Sequence, residues 1–114
     1  MALAVTSRQA GPSTTILEFR GLLTTGNQLY EVEQSVTTLI REKAANLVFD
    51  LSKVESIDSA GVGMLLHCAT TSDRTGGQLR LARPTPRVRE IFEITYLAQV
   101  VPIHDDVDSA LASF

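Results

Sequence analysis

The sequence predicts an α/β layered fold, with a central, mainly parallel sheet of about five strands and about four helices in the order ββαβαβαβα. Three observations predict it. Residues 47–51, Leu-Val-Phe-Asp-Leu, are almost unbroken apolar sequence, which marks a strand covered on both faces, as parallel strands usually are. Apolar residues recur at helical spacing in the segments between the strand-like runs, and strands alternating with amphipathic helices build such layers. Gly11-Pro12, Gly76-Gly77 and Pro84 punctuate the segments.

Each element has a local reason. Residues 3–8 and 14–21 form two short strands joined by the Gly11-Pro12 turn. In the second, Ile16 shares a face with Glu18 and Arg20 while Leu17 and Phe19 share the other, so its buried face is ambiguous. Thr25 with Gln28 matches a capping box, and a helix over 26–43 carries Leu29, Val32, Val36, Leu39 and Ile40 as one stripe that Lys43 ends. After the strand 47–51, a second helix places Val62, Leu65, Leu66 and Ala69 on its buried stripe. Met64, His67 and Thr71 fall away from it, and Gly76-Gly77 stops the helix. Leu79 and Leu81 alternate with Arg80 and Ala82 in a strand that Pro84 ends. Thr85-Pro86 supply an N-cap and a first-turn proline for a third helix, which buries Val88, Ile91 and Phe92. A strand over 100–103 and a final helix capped by Asp105 or Asp106, with Val107, Ala110, Leu111 and Phe114 as its apolar face, complete the order.

Composition narrows the function. With 114 residues the chain fits a single domain, 1–114. Ten Lys+Arg against 13 Asp+Glu give a net charge of −3, which offers no footprint for nucleic acid or an anionic membrane. The densest basic group, Arg80, Arg83, Arg87 and Arg89, reads as solvated surface or a docking patch. No apolar run reaches the ~20 residues needed to span a bilayer, and no basic segment leads into an apolar stretch at the start, so neither insertion nor secretion is expected. One cysteine, Cys68, and two distant histidines give no disulfide and no metal site. A cytoplasmic protein without metal or cofactor is expected.

The candidate site is Ile57-Asp58-Ser59-Ala60-Gly61-Val62-Gly63, where a strand hands over to a helix. Such loops at the carboxyl ends of parallel strands hold the sites of open α/β sheets. A helix start can also hold an anion, because its first N–H groups are unpaired. Three roles compete for Ser59. It, or Asp58, is an ordinary N-cap. Alternatively it is a nucleophile, although a hydrolase elbow needs glycine two residues before the serine and position 57 is Ile. The third role is a phosphorylation target. Gly61 and Gly63, poor helix formers, suggest close approach of another backbone, from a partner or a neighbouring loop. Met64 suggests a partner-contact face or a partly buried residue touching the neighbouring helix, His67 a solvent-facing residue, Cys68 a small core residue, and Asp50 a cap for the loop before Ser59 or a solvated strand end.

The segment VFDLSKVESIDSAGVGMLL resembles the signature of the STAS family, sulphate transporters and anti-sigma-factor antagonists: an apolar strand, a linker, then Asp-Ser-(Ser/Thr)-Gly-Leu-Gly opening a helix. The similarity continues through GGQLRLARPTPRVREIFEITYLAQVVPIHDDVDSAL and covers about residues 17–111. The resemblance implies the STAS fold and the part of a bacterial anti-sigma-factor antagonist in a partner switch, regulating transcription as in stress responses. It implies a binding module and phosphorylation substrate, not an enzyme. Its partners would be a serine-kinase anti-sigma factor, bound when the antagonist is unphosphorylated, and a serine phosphatase that restores the binding form. Ser59 would be the phosphoacceptor, with Asp58, Ala60, Gly61, Gly63, Met64, His67 and Thr24 forming the switch loop and partner surface. Two departures stand out: Ala60 replaces a second hydroxyl, and Gly21-Leu22-Leu23-Thr24 replaces Gly-Glu-Leu-Asp. The family's other implied role is a non-phosphorylated interaction subunit of a signalling scaffold or lipid-transport complex.

Overall fold

A computed structural model describes residues 3–43 and 46–114, without the side chain of Lys43. The strands are β1 (Ala4–Gln9), β2 (Thr14–Leu23), β3 (Asn46–Ile57), β4 (Leu79–Ala82) and β5 (Ile103–His104). The helices are α1 (Asn27–Lys43), α2 (Ser59–Arg74), α3 (Pro86–Ile94) and α4 (Val107–Ala112), with a 3-10 turn at Leu97–Gln99. The sheet runs β1-β2-β3-β4-β5, antiparallel between β1 and β2 and parallel thereafter. The predicted order ββαβαβαβα holds.

The main core lies between one sheet face and helices α1, α2 and α3, with Leu17, Phe19, Phe49, Leu51, Leu65 and Phe92 among its buried members. Phe19 and Phe49 meet at 4.8 Å between ring centroids, tilted by 52°. The other face is covered only in part, where Ile16, Val48 and Ala82 pack on Ala110 of α4. The ambiguity of β2 has a cause: Leu17 and Phe19 lie under the long helices, while on the other face Ile16 alone is buried, against Ala110 of α4, and Glu18 and Arg20 reach solvent.

Several local expectations are corrected. β3 continues past Leu51 to Ile57, and the reason it hid is geometric. Leu51, Val54 and Ile57 are three apart, not the two that a strand requires. The register with β2 shifts between Glu18 and Arg20 and again between Gly21 and Leu22, each time with an extra residue in β3. Each bulge adds one residue, so a step of three keeps the same face, and all three side chains are buried. The capping box at Thr25 and Gln28 does not form. The Thr25 N–H donates to Asp58 at 2.8 Å and Gln28 Oε1 accepts from the Leu3 N–H at 3.2 Å. In place of the strand expected over 100–103 stands the two-residue β5, Ile103–His104, which shares only Ile103 with it; Leu97 and Val101 are buried anchors, whereas Val100 is exposed and Pro102 has no N–H for a ladder. Other caps match: Thr85 Oγ1 accepts the Val88 N–H, Pro86 is the first residue of α3, and Asp106 caps α4.

Asp50 neither caps the switch loop nor ends a strand. It is buried mid-strand, accepts the Ser52 N–H at 3.0 Å and pairs with Arg83 at 3.5 Å. Arg80, Arg83 and Arg89 do not gather into one patch. Arg80 donates to Ser113 and lies over the Phe114 ring, Arg83 turns to Asp50, and Arg89 pairs with Asp105 at 2.8 Å. No helix among the described residues is long and apolar enough to cross a membrane.

Candidate functional site

Local sequence forces a sharp passage from β3 into α2. Ile57 is buried and anchors the strand end, and Asp58 follows in extended conformation as the N-cap of α2. Its Oδ1 accepts the Gly61 N–H at 3.0 Å, and its Oδ2 accepts both the backbone N–H and the hydroxyl of Thr25, at 2.8 and 3.1 Å. The Asp58 N–H donates in turn to the Leu23 carbonyl at 3.2 Å. One carboxylate thus caps a helix and ties the β2–α1 loop to it. Burial alone would raise the Asp58 pKa, but the hydrogen bonds from Thr25, Gly61 and Ala60 outweigh it and hold the carboxyl below its ordinary value.

Gly61 is the packing complement of this clamp. A Cβ there would overlap the Leu23 carbonyl oxygen, so only glycine lets the end of β2 lie against the first turn of α2. Between the two readings of Gly61, the backbone that approaches is a neighbouring segment of this chain. Gly63 differs: a Cβ there would meet nothing within 4 Å, and the residue is exposed.

Ser59 is the first residue of α2, and it is exposed. Because Asp58 does the capping, the Ser59 side chain is released from that duty. Ser59, Gly63 and His67 are spaced by four and form one exposed stripe along α2. His67 Nδ1 lies 3.1 Å from Glu33 Oε2 on α1, linking the two helices. At 1.5 Å rise per residue, His67 sits about 12 Å along the axis from Ser59, too far to act as its base. His104, the other histidine, is on β5 at the sheet edge. Ser59 therefore presents an exposed hydroxyl at a helix start, with His67 out of reach as its base.

The remaining expected members divide. Ala60 is half-buried behind Ser59, and Thr24 is half-buried in the clamped loop, beside a groove shared with Leu22, Thr25 and Gln28. Met64 is corrected. It is 2 % exposed and packs in the main core, with its sulfur 3.6 Å from Cys68 Sγ, so it offers no partner surface. Thr71 is likewise buried, its hydroxyl donating to the His67 carbonyl at 2.8 Å. α2 is wrapped by β3, β4 and α1, which widens its buried side beyond the single stripe its apolar residues suggest. Cys68 is buried as expected; burial, with the Glu33 charge adding to it, pushes its thiol up to about 12. Thr25, Leu23 and Glu33 complete the site and escaped the sequence reading. Thr25 carried a signal, a capping residue before a helix, but it serves a different helix.

Residues 6–110 match the model of the STAS domain. BtrV of Bordetella bronchiseptica, provisionally named an anti-sigma factor antagonist, is 29% identical over 84 residues, 74% of this chain and 72% of BtrV. A provisionally named antagonist from Thermotoga neapolitana is 38% identical over 61 residues; that match spans about half of each protein, 54%. Among solved structures, the anti-sigma factor antagonist SpoIIAA in its unphosphorylated form superposes with a TM-score of 0.80 at 20% identity, covering 95% of this chain and 93% of SpoIIAA. The phosphorylated form of the Bacillus protein gives 0.73 at 19%, covering 96% and 98%. At these identities the structural likeness establishes the fold.

Proposed function

The chain belongs to the STAS domain family, and from that premise we propose that it is an anti-sigma-factor antagonist working in a partner switch, with Ser59 as phosphoacceptor. Unphosphorylated, it binds an anti-sigma factor that is also a serine kinase; phosphorylation of Ser59 releases it, and a serine phosphatase restores the binding form. Its place of action is the cytoplasm. The protein is a substrate and binding module, and no step of catalysis is its own. The relatives given above bear the name anti-sigma factor antagonist, which supports this reading.

One observation carries the reading: Asp58 caps α2, so the adjacent Ser59 hydroxyl stands exposed with no structural task. A phosphate there adds about −1.5 to −2 charges. Within the domain, a helix start favours that charge by about 0.3–1 kcal/mol, offset in part by Asp58, whose negative charge is already held by Thr25 and Gly61. In a closed interface the same charge is buried without a partner, at a cost of about 2–5 kcal/mol or ~30- to several-thousand-fold in affinity. Modification changes binding while the fold persists.

A contact-only role in a scaffold or lipid-transport complex is the second reading. The observation in its favour is chemical: Ala60 and Thr24 stand where the family signature has a hydroxyl and an acid. Incubation with the co-encoded kinase and ATP separates the two. One phosphate on Ser59 by mass spectrometry, abolished by Ser59→Ala, is the expected result. Modification at another residue, or none with any co-encoded kinase, transfers the case to the contact-only role.

A further inference from the structure

The sheet ends in β1, which has β2 on one side and, among the described residues, no strand on the other. Five of its six residues are exposed, all but Val5. An edge strand presents unpaired N–H and C=O groups, a template for a further strand. Natural edges are blunted by proline, lysine or a covering element, whereas β1, Ala-Val-Thr-Ser-Arg-Gln, holds neither residue and a single charge.

The two faces beside this edge differ in chemistry. On the helix side, Val5 and Ser7 border a groove of about 360 Å³ with Leu17 and with Val32, Val36 and Leu39 of α1, and Glu31 and Ser35 of α1 also line it. On the opposite side, the register sets Ala4 beside Arg20, Thr6 beside Glu18 and Arg8 beside Ile16, and cross-strand neighbours share a face. Arg20 and Lys53 both reach Glu18, at 3.3 and 3.5 Å, yet keep 59% and 51% of their side-chain surface exposed. Arg8 shares a shallow groove with Glu18 and Asp50, and Asp50 already holds Arg83 at 3.5 Å. Four cations (Arg8, Arg20, Lys53 and Arg83) lie around two carboxylates (Glu18 and Asp50), with the exposed Glu55 two residues beyond Lys53, which leaves a local excess of one positive charge in a chain of net charge −3.

We infer that the β1 edge binds an extended segment of a partner protein in which apolar and acidic residues alternate, adding it to the sheet as a sixth strand. Successive side chains of a strand point to opposite faces. Apolar residues of the added strand therefore enter the groove beside Val5, while acidic ones lie over the basic face. Arg20 and Arg8 mark positions four residues apart along β1, about 13 Å, so acids at that interval meet both. A second copy of β1 is the poorer occupant, because two-fold pairing sets one basic face beside another. A polynucleotide is poorer still, since the two carboxylates and the net negative chain repel it.

The test uses the full chain, labelled with nitrogen-15, and an acetylated, amidated seven-residue peptide of alternating valine and aspartate. The largest amide shifts are expected at residues 4–9, with affinity falling as salt is raised. Arg8→Glu, an exposed change that should leave the amide spectrum folded, weakens binding about tenfold or more. A peptide with lysine for aspartate does not bind, and Ser59→Asp leaves the affinity unchanged, which keeps this result independent of the switch. Shifts centred on α2, no binding, indifference to Arg8→Glu, or self-association of the chain through β1 would each overturn the inference.

Discussion

Ser59 and Asp58 are neighbours with opposite duties. The carboxylate is committed to the Gly61 and Thr25 donors, and the hydroxyl faces solvent. Replacing Ser59 with Asp should therefore change unfolding free energy by less than about 1 kcal/mol in urea, because a charge at a first helical turn is tolerated or favoured, while partner binding is lost. Failure of that variant to fold would make the residue structural after all. Gly61→Ala behaves in the opposite way. The added methyl collides with the Leu23 carbonyl, and shifting backbone to relieve it should cost about 1–3 kcal/mol, read as a lower urea midpoint. Cys68, its thiol pushed up to about 12 by burial, should resist alkylation at pH 8 in the folded protein and react once denaturant unfolds it.

At the scale of elements, caps and bulges decide where chains turn. Thr85→Ala removes the acceptor for the Val88 N–H and should cost about 1 kcal/mol, with a matching fall in thermal midpoint and no loss of Ser59 accessibility. Its neighbour Pro86 and this cap were readable from the sequence, since both act within one turn. The reach of β3 was not. Two bulges turn a spacing of three into a strand with one buried face, and a bulge exists only in relation to the partner strand. The same holds for Thr25: its position before α1 suggested a local cap, but its N–H and hydroxyl go to Asp58, 33 residues away. Met64 followed the same logic, judged exposed from its own helix and buried by the elements that surround it.

For the molecule as a whole, Asp58 links pH to stability. Its folded pKa lies below the ordinary value, so the ionised form is the one that the folded state favours. Its contribution is complete above the ordinary carboxylate range and is lost as pH falls through the depressed folded value. Asp58→Ala should destabilise by about 0.5–2 kcal/mol at neutral pH. The gap between variant and parent should narrow as acid is added, measured by urea unfolding across the pH series. A gap that stays constant into strong acid would mean the carboxylate charge is not what holds the β2–α1 loop.

The amino-acid order by itself determined the alternation of strands and helices, the cap at Thr85, an aspartate cap at 105 or 106, and the hydroxyl beside an acid at the mouth of α2. These follow from periodicity and from contacts within a turn, which a chain carries in its own spacing. Only the tertiary structure decided that Asp58 rather than Ser59 does the capping, that Gly61 makes room for Leu23, and that Met64 is core. Those outcomes depend on which segments lie side by side, and no residue can announce a neighbour that arrives from thirty positions away.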